Sequence, residues 1–280
     1  MPTEPSQLRI DAGGVTLSGE QSGEGVPIVL AHGLTATRRY VVMGSRSLQR
    51  SGHRVIAYDA RGHGSSEPAS ARAYGYQWLA SDLLAVLDEA GVDRAVIAGA
   101  SMGAHTAVRF ALEHPGRVLA LGLITPAYEP AGRRAEQELA RWDALAEGLR
   151  SGGVEGFIAA YDLSGVPQAW RATLETVLRQ RLSAHEHPRA VADALEVVPR
   201  SAPFEDFEQL GTIAAPTLVI GSRDEADPDH PLALAERYAR AIPAARLLVE
   251  DAGPPPRSPI AWQGGRVSSA LAELADQQGP

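Results

Sequence analysis

The residues best placed to do chemistry lie in one short run, Ala95-Val96-Ile97-Ala98-Gly99-Ala100-Ser101-Met102-Gly103-Ala104-His105-Thr106-Ala107. It reads as an apolar strand, a Gly-x-Ser-x-Gly turn and an Ala-rich helix. That order is what a nucleophile elbow needs. The chain must turn sharply from strand to helix, which strains the serine backbone and pushes its side chain outward. Gly99 and Gly103 leave room where strand and helix cross. Ser101 then stands at a helix N-terminus, where the macrodipole and free N–H groups favour developing negative charge. The chemistry implied is nucleophilic attack by a serine hydroxyl.

The remaining composition narrows the alternatives. The chain has no Cys, so a thiolate nucleophile and Cys-ligated metals are excluded. It has no Lys, all 26 basic residues being Arg, which excludes a Schiff-base lysine, a Ser–Lys dyad and a P-loop lysine. The net charge of −8 argues against a nucleic-acid or anionic-membrane partner. No apolar run approaches the ~20 residues of a membrane span, and the opening MPTEPSQLRI has no signal-peptide pattern. The expectation is a cytoplasmic protein, monomeric or homodimeric, acting on a small molecule.

Elements that position Ser101 follow along the chain. Leu8–Asp11 and Val15–Glu20 form a hairpin around Gly13-Gly14. Strands are expected at Val26–Ala31, Arg54–Asp59, Ala95–Ala98, Val118–Thr125, Pro216–Gly221 and Arg246–Glu250. Helices are expected at Arg39–Arg50, Tyr76–Ala90, from the elbow to about His114, at Leu232–Ala241 and from Ser258, with Pro259 at its first position. This alternation predicts an α/β fold with a mostly parallel eight-stranded sheet flanked by helices. Between about Glu129 and Glu208 no strand is apparent. Arg133–Arg150, Val154–Tyr161, Pro167–Leu182 and Pro188–Val198 read as helices. They suggest a helical cap (129–208) inserted into a core (1–128 and 209–280). Trp142, Trp170, Tyr128 and Tyr161 are candidates for a pocket wall, although aromatics on such helices are more often packed in a core.

Several motifs then agree. VLAHGL at 29–34, YDARGHGSS at 58–66, GASMG at 99–103 and the Gly221-x-x-Asp224 loop resemble landmarks of the α/β-hydrolase superfamily, in its order. The resemblance spans essentially the whole chain. It implies that Ser101 is the nucleophile and that the backbone N–H groups of Leu34 and Met102 form an oxyanion hole. It implies that His32 and Gly33 shape that loop, that Asp224 is the triad acid, and that no cofactor or metal takes part. The activity implied is hydrolysis of a small carboxylic ester, or of a lactone or thioester.

One landmark is missing. The resemblance places the catalytic histidine on the loop after the last strand, Asp251–Pro259 here, and that loop has none. Eight histidines are available as substitutes. His53 and His114 fall at the wrong edge of the sheet. His105 reads as a packed helix residue, His32 and His63 as structural, His185 and His187 as exposed or helix-boundary residues. His230 lies on the loop after Pro216–Gly221, six residues beyond Asp224 and surrounded by Asp224, Glu225, Asp227 and Asp229. It is the best candidate base, with Asp224, Asp227 or Glu129 as its acid. The same loop offers oxygen and imidazole donors to a metal, but its spacing matches neither an EF-hand nor a zinc-protease motif. A non-hydrolytic reading, as a ligand-binding or silent scaffold, a lyase or an acyltransferase, stands beside the hydrolase.

Overall fold

The computed structural model describes residues 4–130, 135–223, 227–253 and 257–279. One eight-stranded sheet carries the fold: β1 (Ser6–Asp11), β2 (Thr16–Ser22), β3 (Pro27–Ala31), β4 (Arg54–Tyr58), β5 (Ala95–Ala100), β6 (Val118–Ile124), β7 (Thr217–Gly221) and β8 (Ala245–Val249). Their spatial order is β1-β2-β4-β3-β5-β6-β7-β8. The pairs β1–β2 and β2–β4 are antiparallel, and β3 to β8 with β4 run parallel. All eight expected strands are present, with ends shifted by a residue or two. Their apolar runs are long because both faces of a parallel sheet are covered.

The two faces have separate cores. One packs Leu83, Val86 and Leu87 of α2 (Tyr76–Glu89) and Val108 and Phe110 of α3 (Met102–Glu113) onto Val29, Ile56 and Ile97. The other packs Val267, Leu271 and Leu274 of α8 (Gly264–Asp276) onto Ile28, Val96 and Ile220. Gly122 in β6 is there for contact, since a Cβ on it would stand 2.4 Å from Leu271 Cδ2. The Ala-rich face of α3 lets its backbone approach the sheet closely, which fixes where the elbow points.

Among the described residues, three α-helices lie between β6 and β7: α4 (Glu136–Ala160), α5 (Gln168–Leu182) and α6 (Pro188–Val197). They build a third core with Leu145, Leu149, Phe157, Leu178 and Leu195, which closes onto Leu34, Tyr76 and Met102 beside the elbow. α4 is not one straight rod. Gly153 breaks it at φ 60°, ψ −145°, a region that favours glycine. The chain doubles back there, and a Cβ on Gly148 would meet Gly156 O at 2.5 Å.

Three expectations need correction. Arg39–Arg50 is not a helix; only a 3-10 turn at Arg38–Tyr40 and a single turn, α1 (Ser47–Arg50), form. Met43 and Gly44 adopt φ of 50° and 72°, which stops propagation between them. The last helix starts later than Ser258. A 3-10 turn at Ile260–Trp262 precedes α8, because Pro259 is extended at ψ 139°. Of the two readings of His185, exposed or helix-boundary, the first fails: it is buried in the turn between α5 and α6. The remaining helices, including α7 (Leu232–Ala241), lie close to where the periodicity put them; the expected start at Arg133 lies outside the described residues. No helix among the described residues is long and apolar enough to cross a membrane.

Candidate active site

Ser101 sits between β5 and α3 with φ 50° and ψ −112°, a left-handed strain that a non-glycine residue adopts only when its surroundings impose it. Those surroundings are visible. A Cβ on Gly99 would stand 2.2 Å from the Gly103 carbonyl carbon, and one on Gly103 would stand 2.1 Å from Ala31 O. Both positions therefore admit glycine alone. Ser101 N donates to Ile124 O at 2.9 Å, and His105 N closes the first helical turn on Ser101 O at 3.0 Å.

The loop after β3 lies against this turn. A Cβ on Gly33 would be 3.6 Å from Ser101 Cβ. Two buried imidazoles brace the loop. His32 Nδ1–H donates to Gly33 O at 2.8 Å, while its Nε2 accepts from Ala60 N at 2.9 Å. His63 Nε2 lies 2.7 Å from Leu34 O. His185, from the helical insertion, adds a third ring, accepting from Gly64 N at 2.8 Å. Burial pushes all three imidazoles below their ordinary range, His185 to about 3. The Leu34 and Met102 amides have no acceptor among the described residues.

His230 completes the arrangement. Its Nε2 lies 2.9 Å from Ser101 Oγ, across 129 positions of sequence. Its Nδ1 lies 2.8 Å from both carboxylate oxygens of Asp227. The carboxylate on the ring is thus Asp227, whereas the resemblance put Asp224 first; Asp224 lies outside the described residues. Glu129, the third candidate acid, instead pairs with Arg237. His230 and Asp227 share one turn, with His230 N donating to Asp227 O at 3.2 Å. Burial alone would depress the His230 pKa; contact with Asp227, with Asp229 behind it, holds it above the usual imidazole value. Burial would raise the Asp227 carboxyl, and the facing imidazole, helped by Arg181, holds it below its ordinary range.

Asp229 ties this loop to the helical insertion. Arg141 Nη1 donates to Asp229 Oδ1 at 2.7 Å, and Tyr161 Oη donates to Asp229 Oδ2 at 3.0 Å. Both donors come from α4 or its end. Sequence reasoning missed this grip, because nothing local links residues 141 and 161 to 229. It did have a signal for Asp227, whose spacing of three from His230 suits one tight turn.

A pocket of about 500 Å³ opens at Ser101. Leu34, Met102, Leu139, Trp142, Val198 and Leu234 give it apolar walls; Tyr76, His105, Arg141 and His230 give it polar ones. Of the four aromatics singled out in the sequence, Trp142 and Tyr128 line it, Tyr161 holds Asp229, and Trp170 packs edge-on to Trp262. A strained serine, an imidazole on its hydroxyl and a carboxylate on the imidazole form the constellation of nucleophilic acyl transfer.

Comparison with known proteins agrees with that class. The chain belongs to the alpha/beta hydrolase fold family, whose sequence profile matches residues 26–255. Among curated relatives, it is 29% identical over 204 residues to the putative carbamate hydrolase RutD of Variovorax paradoxus, covering 72% of this chain and 75% of the relative. It is 30% identical over 216 residues to 2-hydroxy-6-oxononadienedioate/2-hydroxy-6-oxononatrienedioate hydrolase 2 of Pseudomonas putida, covering 72% and 73%. Among solved structures, a thermophilic esterase from Thermogutta terrifontis superposes with a TM-score of 0.78 at 26% identity, covering 99% of this chain and all of that one (100%).

Proposed function

We propose that the protein is a serine hydrolase that cleaves small carboxylic esters, lactones or thioesters through an acyl-enzyme on Ser101. The observation that carries this reading is the 2.9 Å approach of His230 Nε2 to Ser101 Oγ, with Asp227 on the opposite ring nitrogen. Asp227 holds the proton on Nδ1, leaving Nε2 free to take the serine proton. The alkoxide attacks the carbonyl carbon. The N–H groups of Leu34 and Met102, two residues that line the pocket, receive the charge that develops on the carbonyl oxygen. The imidazolium returns its proton to the leaving alcohol, and water repeats the sequence to release the acid. Residues 129–208 act as the cap over the pocket. The names of relatives and structural neighbours, hydrolases and esterases, support the reaction class. The silent-scaffold reading rests on a missing base, and the approach of His230 to Ser101 weighs against it.

The test is release of p-nitrophenol from short-chain esters, with an organophosphonate probe followed by mass spectrometry. The expected result is wild-type turnover and labelling at Ser101, both lost in Ser101→Ala. Turnover that survives Ser101→Ala, or no turnover and no labelling of the wild type, overturns the proposal.

A further inference from the structure

The wall of the pocket carries a hydroxyl whose hydrogen bonding is dictated by the backbone. His105 Nε2 accepts two backbone hydrogen bonds, from Ala127 N and Tyr128 N, both at 2.9 Å. A nitrogen that accepts twice carries no hydrogen, so the ring hydrogen is on Nδ1. Burial, with His230 nearby, lowers the His105 pKa to about 3, so the ring stays neutral. Nδ1 lies 2.9 Å from Tyr76 Oη, and with its hydrogen fixed it must be the donor there. The phenol oxygen is therefore an acceptor toward His105, and its own hydrogen goes elsewhere. No acceptor among the described residues is within reach of it. Tyr76 is 4% exposed, lies in the core that closes onto the elbow, and lines the same pocket as Ser101. Burial also raises the phenol pKa, so the hydrogen is retained at working pH.

We propose that Tyr76 Oη–H is a substrate-selecting donor that favours esters whose pocket-bound half carries an acceptor oxygen, such as an ether, keto or hydroxyl group. This rests on the Ser101 hydrolase reading and adds a specificity to it. An oxygen entering an apolar pocket loses its water hydrogen bond, which disfavours it against a methylene unless a donor replaces the water. Tyr76 is that donor, and its backbone is anchored by Tyr76 N donating to Ser201 Oγ at 2.8 Å. His105 passes the orientation on from the backbone at Ala127 and Tyr128.

The experiment walks one ether oxygen along a chain. In one series it replaces successive methylenes of the acyl group of p-nitrophenyl hexanoate, from the third carbon outward. In the other it replaces successive methylenes of the alcohol in hexyl acetate, followed by acid release. The expected result is one position in one series where the ether ester exceeds its methylene isostere in kcat/KM by about 3- to 10-fold. In Tyr76→Phe that ratio falls to one or below; Tyr76→Met serves if the phenylalanine variant is unstable. No preferred position in either series overturns the proposal, as does a preference that survives loss of the hydroxyl. Equilibrium binding of the same esters to Ser101→Ala, read by tryptophan fluorescence, gives the ratio without turnover. A wild type that turns over no ester sinks the hydrolase reading, whereas an absent ratio in binding sinks the Tyr76 assignment.

Discussion

Two loops leave the same edge of the sheet and have opposite fortunes. The loop after β7, residues 222–231, springs from a strand buried at every position and carries both His230 and Asp227. The loop after β8 springs from an edge strand that is partly exposed throughout, and carries no imidazole at all. It supports the first loop at its base, where buried Glu250 accepts from Arg223 N at 2.5 Å and from Arg223 Nε at 3.2 Å. On the proposed reading, the difference shows what a triad needs. Base and acid in one turn keep their mutual alignment locally, without relying on two loops packing in register. Only the meeting of His230 with Ser101 remains a long-range problem. Asp229, next to His230 in sequence and held by Arg141 and Tyr161, ties that loop to the helical insertion.

The largest expected effect is loss of the base. His230→Ala lowers kcat by about 10³-fold or more, since a serine hydroxyl without a base is a poor nucleophile. Retained turnover would put the base elsewhere and erase the contrast between the loops. Next, Asp227→Asn costs about 10²- to 10⁴-fold by stabilising the wrong tautomer. A full-rate Asp227→Asn variant would return the acid role to another carboxylate.

Asp229→Asn and Arg141→Met each lower kcat roughly 10-fold with KM nearly constant, because they loosen the approach of His230 to Ser101. The Arg141–Asp229 pair is partly exposed, with side chains 36% and 26% accessible, so thermal midpoints change little. A matching fall in midpoint would make the pair merely structural. The pH profile sharpens the same point. His230 must be neutral to act, and its pKa is raised, so kcat/KM falls as pH drops through a midpoint above about 6.5. Asp229→Asn removes a negative charge near the ring and moves that midpoint down. A midpoint that stays fixed argues that Asp229 does not act on His230. The smallest effect belongs to the other loop: Ser258→Ala changes kcat/KM by less than about twofold.

Much of this was legible beforehand, and for definite reasons. Parallel strands buried on both faces write continuous apolar runs, so Ile28–Leu30 and Val96–Ala98 announce themselves. The Gly99–Ser101–Gly103 turn is dictated by contacts so close that no other residue type fits. His230 could be found by elimination, because only loops at one sheet edge reach the elbow. Which carboxylate faces it could not. Several acids crowd that loop, and the choice of Asp227 depends on a turn closed by His230 N on Asp227 O. Arg39–Arg50 failed because Val41-Val42, Gly44 and Ser45 are poor helix formers and Met43 and Gly44 take left-handed backbone in its middle. The roles of Arg141, Tyr161 and Tyr76 were hidden because their partners are distant in sequence.

The reversal of the chain at Gly153 has a reach well beyond its own surroundings. It sets residues 141 and 161 side by side, so a bend on the outside of the molecule governs how a histidine meets a hydroxyl within it. Redesign of these helices for bulkier substrates would have to preserve that bend, or furnish the histidine loop with another mooring, before the remodelled enzyme could turn over.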